Sequence, residues 1–311
     1  MQVANCLINW TDFSAELKLS LENLDEAIKK INTSIKNCFT EKEVEQFKSM
    51  LIASFWNALP YFHEGSSLNP IYHNTQVLDN MVQIGLGEQL NYREFKISVI
   101  TALLHDIGNA ISLRPKVKTD QVKEAVKENT PERAKELAYQ AIEFRLEHMD
   151  NGPALLAKVT APMIEDGTLG RDELHLICRA VLIHDYPSIE EVLTDLRNLN
   201  IDTPHQPGDF LLPFDTTVFG RLIERLREAD RLFMVTEQGV EKDLRDGNKD
   251  INKNNLRAKL ISNADKHRRE FRLYEKVRKI DGFQDNTLYR TKTGYDLYCA
   301  WVKKLEAKWA S

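Results

Sequence analysis

The stretch EFKISVITALLHDIG, residues 94–108, decides the fold. Its apolar residues Ile97, Val99, Ile100, Ala102, Leu103 and Leu104 fall on every side of a 3.6-residue period, so a helix predicted over about Glu94 to Asp106 has almost no polar face. Such a helix must be surrounded. Its neighbours must themselves be helical, because no convincing series of alternating strands occurs elsewhere in the chain. The stretch ends by carrying two ionisable side chains, His105 and Asp106, towards the centre, and Gly108 reads as the residue that terminates the helix.

Working outward, residues 11–59 read as two amphipathic helices broken near Cys38–Thr40, where Thr40 followed by Glu41 and Glu43 suits a helix start. Tyr61 to Asn69 reads as a loop, and Asn69-Pro70 as an N-cap and first-turn pair. The next helix carries His73, Val77, Met81 and Ile84. Beyond the central stretch, Leu113 to Gln121 is a short basic loop with Arg114, Lys116 and Lys118. Thr130-Pro131 opens a helix to about His148, Asn151-Gly152 marks a turn, and a further helix runs to about Met163. Asp172 can cap a helix ending near His184, with Pro187 beyond it. Residues 198–214 are Pro-rich and irregular, Asp215 to Met234 is helical, and Gly239 to Asn255 is the best candidate for a mobile segment. The last helix is expected over Gly294 to Trp309. The organisation is an all-α bundle: an N-terminal helical extension (1–65), a core (66–235) and a C-terminal helical extension (236–311) packed on it.

Composition narrows the function classes. With 42 Lys and Arg against 47 Asp and Glu in 311 residues, the net charge is −5. That balance lacks the cationic field of a protein that coats nucleic acid or an anionic membrane. Cys6, Cys38, Cys178 and Cys299 are scattered and include no Cys-x-x-Cys pair, which argues against a zinc ribbon or redox motif. The N-terminus has no basic region leading into an apolar core, and no apolar run approaches the roughly 20 residues of a membrane span. The expectation is a cytoplasmic protein with no membrane or extended nucleic-acid partner. Residues 1–65 could cover the core, form the face of a homo-oligomer or close a lid.

Four helices place a metal-competent group in an apolar row: His73 with Val77, Met81 and Ile84; His148 with Leu137, Ala141 and Phe144; His184 with Leu174, Ile177 and Val181; Asp230 with Val218, Leu222, Leu226 and Phe233. Each row follows i, i+3/i+4 spacing, so these groups point inward. Singly they have bland readings: a hydrogen-bonded core histidine, an Asp230–Arg227 pair, a common His-Asp dipeptide. Together with His105 and Asp106 they suit a divalent metal centre, because buried carboxylates need a cation or charge partner in place of water. Imidazole and carboxylate donors without thiolate fit zinc, manganese or iron. His175 is half a helical revolution out of phase with His184, so it is set aside. His63, His205 and His267 read as surface histidines.

The order His73, then His105-Asp106 in ALLHDIGNA, then His148, His184 and Asp230 in READRLF, resembles the HD-domain superfamily of metal-dependent phosphohydrolases over residues 66–235. The resemblance implies an HD-domain helical bundle of the two-metal subgroup. His73, His105, Asp106 and Asp230 would hold one ion; Asp106, His148 and His184 would hold a second. Asp106 and His73 would also serve catalysis. IYHNTQV is similar to the Tyr-His-Asn-x-x-His stretch of cyclic-nucleotide phosphodiesterases, but Val77 stands where the second His belongs. Either His73 is a ligand in the plainer HD register, or it is the general acid and the first ion lacks a His.

The implied activity is hydrolysis of a phosphoester or phosphoanhydride in a small phosphorylated substrate, a nucleotide above all, by a metal-bridging hydroxide. Manganese, iron, zinc and magnesium are all admissible. Arg114, Lys116, Lys118, Arg290 and Lys292 are candidate substrate-binding cations, and Arg221 and Arg225 lie before Asp230 on a face that solvation explains equally well. The same ligand order also resembles the mixed-valence di-iron oxygenases of the superfamily. A catalytically inactive ligand-binding module is the third alternative.

Overall fold

A computed structural model describes residues 15–34, 39–64, 71–112, 117, 119–128, 130–198, 200–212, 216–247, 249–275 and 289–310. Among these residues every regular element is helical and no strand forms, so the chain is all-α. In chain order the helices are α1 (Ala15–Ser34), α2 (Glu41–Glu64), α3 (Ile71–Gly87), α4 (Tyr92–Leu104), α5 (Thr119–Lys127), α6 (Pro131–Glu165), α7 (Arg171–Ile183), α8 (Tyr186–Asn198), α9 (Val218–Phe233), α10 (Glu237–Asp246), α11 (Lys253–Glu275) and α12 (Lys292–Ala310). A short 3-10 turn, Ile107–Ile111, lies just beyond the end of α4.

Helix α4 is the axis. Every residue from Phe95 to Leu104 is buried, and the helix packs against α2, α3, α7 and α9. The Asn91 side chain accepts the Glu94 backbone N–H and satisfies one of the free donors at the helix start. Two of its polar members find partners: Lys96 Nζ lies 2.7 Å from Glu173 on α7, and Thr101 donates to the Ile97 carbonyl at 2.7 Å. Around this axis α1 covers α3, pinned by Lys30 at 2.6 Å from Asp79, while α5 and α8 flank α6. Helix α12 lies on α3 and α9, and its start is held by two carboxylates: Glu88 accepts the Thr293 N–H at 3.1 Å and Glu228 the Thr291 N–H at 3.0 Å. Burial pushes the Glu228 carboxyl up to about 8 against the opposing donors from Thr291 and Arg290.

Several sequence expectations need correction. Asn151-Gly152 is not a turn: α6 runs unbroken through it and through Pro153. The turn signal yields there to packing, because Gly152 is buried where α6 meets α7. Helix α2 continues through Pro60 to Glu64, so Tyr61 to Glu64 is helical rather than loop; the rest of that expected loop, Asn69-Pro70 included, lies outside the described residues. Gly170, not Asp172, is the N-cap of α7, and Asp172 pairs with Arg93 instead. Pro187 does lie beyond α7 as expected, in the first turn of α8, where its missing N–H costs nothing. The segment from Gly239 contains most of α10, with Val240 and Leu244 buried. His267 is fully buried, its ring 3.3 Å from the Tyr289 hydroxyl, rather than on the surface.

Gly108 also plays a different part from a helix terminator. Its φ is not positive, and α4 has already ended at Leu104. What it supplies is the absence of a side chain: a Cβ there would lie 1.8 Å from the His148 carbonyl oxygen and 2.8 Å from the Gly152 nitrogen. A Cβ on Gly152 would in turn lie 2.5 Å from Val181 Cγ1 of α7. The end of α4, the middle of α6 and the last turns of α7 thus meet at nearly backbone distance. Chemical denaturation of metal-free protein checks this. Gly108→Ala is expected to cost about 3 kcal/mol or more, since its clash is with rigid backbone, whereas Gly152→Ala meets a side-chain methyl of buried Val181 and costs about 1–3 kcal/mol.

Candidate metal centre

The bundle delivers six side chains from five helices to one place. His73 comes from the first turn of α3, His105 and Asp106 from the turn that ends α4, His148 from mid-α6, His184 from the C-cap of α7 and Asp230 from the last turn of α9. His73, His105, Asp106, His148 and His184 are all buried, and the Asp230 side chain is 19 % exposed. His175 is exposed, as its phase requires.

Five of the six groups form two trios that share Asp106, and Asp230 adjoins the first. Asp106 Oδ2 is 3.5 Å from His73 Nε2 and 3.6 Å from His105 Nε2. Asp106 Oδ1 is 3.2 Å from His184 Nε2 and 3.9 Å from His148 Nε2. Asp230 Oδ1 completes the first group, 3.4 Å from His73 Nε2 and 3.9 Å from His105 Nε2. Within each trio the donor atoms lie within 4.8 Å of one another, a span that one ion can bridge.

Tautomers sharpen the reading. The Nδ1 atoms of His105, His148 and His184 stand 2.9, 3.3 and 2.7 Å from the backbone carbonyls of Ala102, Phe144 and Val181. A carbonyl only accepts, so each Nδ1 carries the hydrogen and each Nε2 of the neutral ring presents a lone pair. His148 Nε2 and His184 Nε2 are nevertheless 3.4 Å apart, and His73 Nε2 and His105 Nε2 are 3.3 Å apart. The lone pairs of His148 and His184, facing one another beside a carboxylate, require a cation or a proton between them. Carbonyl-anchored imidazoles are also the usual second layer of histidine metal sites. The donor set therefore fits one or two divalent ions bound by nitrogen and oxygen.

Charge in the cluster is mutually arranged. Burial works to raise the Asp106 carboxyl, but His105, His184 and His73 together outweigh it and hold the group well below the usual carboxylate range. Asp230 is likewise lowered, burial being outweighed by His73 and Arg227. Burial lowers His105. It also works to lower His184, but the hydrogen bond and charge of Asp106 prevail and raise that ring.

The candidate substrate cations fare differently. Arg114, Lys116 and Lys118 lie outside the described residues. Arg290 pairs with Glu224 at 2.9 Å and exposed Lys292 with Asp296 at 2.5 Å. Arg221 lies 2.9 Å and Arg225 3.8 Å from Glu94. Sequence reasoning missed Arg145 and Asp185, a partly buried pair at 3.3 Å beside the second trio. Their signal was the spacing of Arg145 three residues before His148 and the adjacency of Asp185 to His184. Comparison of the chain with protein-family models, curated proteins and solved structures found no match.

These directions set a pH dependence. In metal-free protein the raised His184 keeps its proton to a higher pH than an ordinary imidazole, and an ion entering the second trio must displace it. His105, being lowered, has no such proton to give at neutral pH. In manganese titrations between pH 5.5 and 8, one ion is expected to lose about tenfold in affinity per pH unit below the His184 pKa and to level off above it. His184→Ala should abolish that ion's binding while the other remains.

Proposed function

We propose that this chain is a metal-dependent hydrolase of small phosphorylated molecules, with nucleotides as the leading substrate class, built on an HD-type dinuclear centre. The observation that carries the reading is the shared carboxylate: Asp106 sends one oxygen to His73 and His105 and the other to His148 and His184. One carboxylate between two imidazole pairs is what a bridged pair of cations needs, and no single buried ion pair accounts for it.

A bound pair of divalent ions would lower the pKa of a bridging water towards neutrality and stabilise charge on phosphoryl oxygens in an in-line displacement. The residues of the chain do the rest. Asp106 holds both halves of the site at one separation. Ala102, Phe144 and Val181 fix the ring orientations through their carbonyls, so the lone pairs are aimed before any ligand arrives. Val77, buried in the core, leaves His73 as the one imidazole that α3 brings to the cluster, which supports its role as ligand rather than general acid. Two divalent cations against the carboxylates of Asp106 and Asp230 leave an excess of positive charge, and Arg227 adds to it. An anionic substrate is the natural neutraliser.

The test is turnover of nucleoside mono-, di- and cyclic phosphates by protein purified without chelator, with manganese added. Phosphate-bond cleavage is expected, to be abolished by chelator and restored by metal, and to fall at least about a hundredfold in His105→Ala and Asp106→Asn. Turnover by metal-free protein would overturn the reading. Iron-dependent substrate cleavage with oxygen uptake and no hydrolysis would replace it by the oxygenase reading.

A further inference from the structure

An arginine stands beside each half of the cluster, three residues ahead of one of the six groups on the same helix; Arg227 is buried and Arg145 partly buried. On α9, Arg227 Nη1 donates to Asp230 Oδ2 at 3.1 Å, and the Arg227 side chain is 3 % exposed. The other oxygen of that carboxylate, Oδ1, is the one 3.4 Å from His73 Nε2. One oxygen is therefore engaged and the other presented to the histidines. On α6, Arg145 Nε lies 3.3 Å from Asp185 Oδ2, while its Nη1 donates back to the Ala141 carbonyl at 2.8 Å. Asp185 directly follows His184, so this pair straps α6, which carries His148, to the corner between α7 and α8, which carries His184.

We infer that Arg227 and Arg145 are positioning residues, one for each ion: Arg227 holds Asp230 to a single oxygen presented to the first trio, and Arg145 with Asp185 sets the spacing of His148 and His184 in the second. The inference rests on the metal reading above and adds a division of labour to it. A carboxylate free to rotate can turn both oxygens on an ion and close a position that water or substrate must occupy; a guanidinium on Oδ2 prevents this. Lysine would keep the charge but not the planar fork that fixes the carboxylate's angle.

The test is manganese binding to metal-free full-length protein, followed calorimetrically and by electron paramagnetic resonance. The variants are Arg227→Gln, Arg227→Lys, Asp185→Asn and Arg145→Lys, each made also in a His148→Ala background that keeps only the first trio. The Arg227 variants are expected to weaken one ion by about 10–100-fold and to do so equally in the His148→Ala background. Asp185→Asn and Arg145→Lys should weaken the other ion similarly and have no effect in that background. Thermal melts of the metal-free proteins report folding separately, and if Arg227→Gln does not fold, Arg227→Lys carries the test. Unchanged manganese affinity with a lowered melting temperature would make the arginines merely structural and overturn the inference. Unchanged affinity with a raised KM would make them substrate contacts and overturn it too. If the wild-type protein binds no manganese, the metal reading itself falls; if it binds two ions that all four variants leave intact, only the division of labour does.

Discussion

Asp106 is buried with one carboxylate oxygen facing each of two histidine pairs, and its carboxyl is held well below the ordinary range. Removing a carboxylate from water costs several kcal/mol unless positive charge replaces the lost hydration. Here the compensating groups come from α3, α4, α6 and α7 at once. The rest of the bundle can be understood as the packing that brings those four helices, and α9 with them, to a single point.

That convergence has a steric condition. Imidazoles reach only a few ångströms from their backbones, so helices whose rings meet must themselves run very close. Gly108 against the His148 carbonyl, and Gly152 against Val181, provide that approach on the side of the second trio. On the side of the first trio, α4 is sheathed in hydrocarbon from α3 and α9, and the ring of His73 rests edge-on against Phe233. The polar cluster is thus enclosed by apolar walls. Low polarity around it strengthens every charge interaction inside and makes any unpaired group expensive. Arg145 and Arg227, each paired with an acid, belong to the same economy of charge.

The all-α class and four of the six clustered residues were legible because they depend on helical periodicity, and His105 and Asp106 were legible from their place at the end of the buried helix. A row such as Val218, Leu222, Leu226 states which face is buried, and Asp230 on that row had to enter the core. His184 could be preferred to His175 by phase alone, and the structure places the first in the cluster and the second in solvent. What periodicity cannot report is contact between distant segments. Asn151-Gly152 carries a turn signature, yet the continuity of α6 is decided by what faces Gly152 across the interface. Gly108 looked like a helix stop because its reason for being glycine lies in α6. His267 was read as a surface residue from its polar neighbours in sequence, whereas its neighbours in space are Tyr289 and Tyr298. Asp185 was invisible as a partner because Arg145 is 40 residues away, 185 − 145, on another helix.

The central claim is that two cations share Asp106. Anomalous diffraction from crystals of the protein grown with manganese tests it most directly. The expected result is two anomalous peaks per chain, one among His73, His105, Asp106 and Asp230, the other among Asp106, His148 and His184, roughly 3.5–4 Å apart. A single peak that leaves either histidine pair untouched, or manganese bound only elsewhere on the molecule, would contradict it.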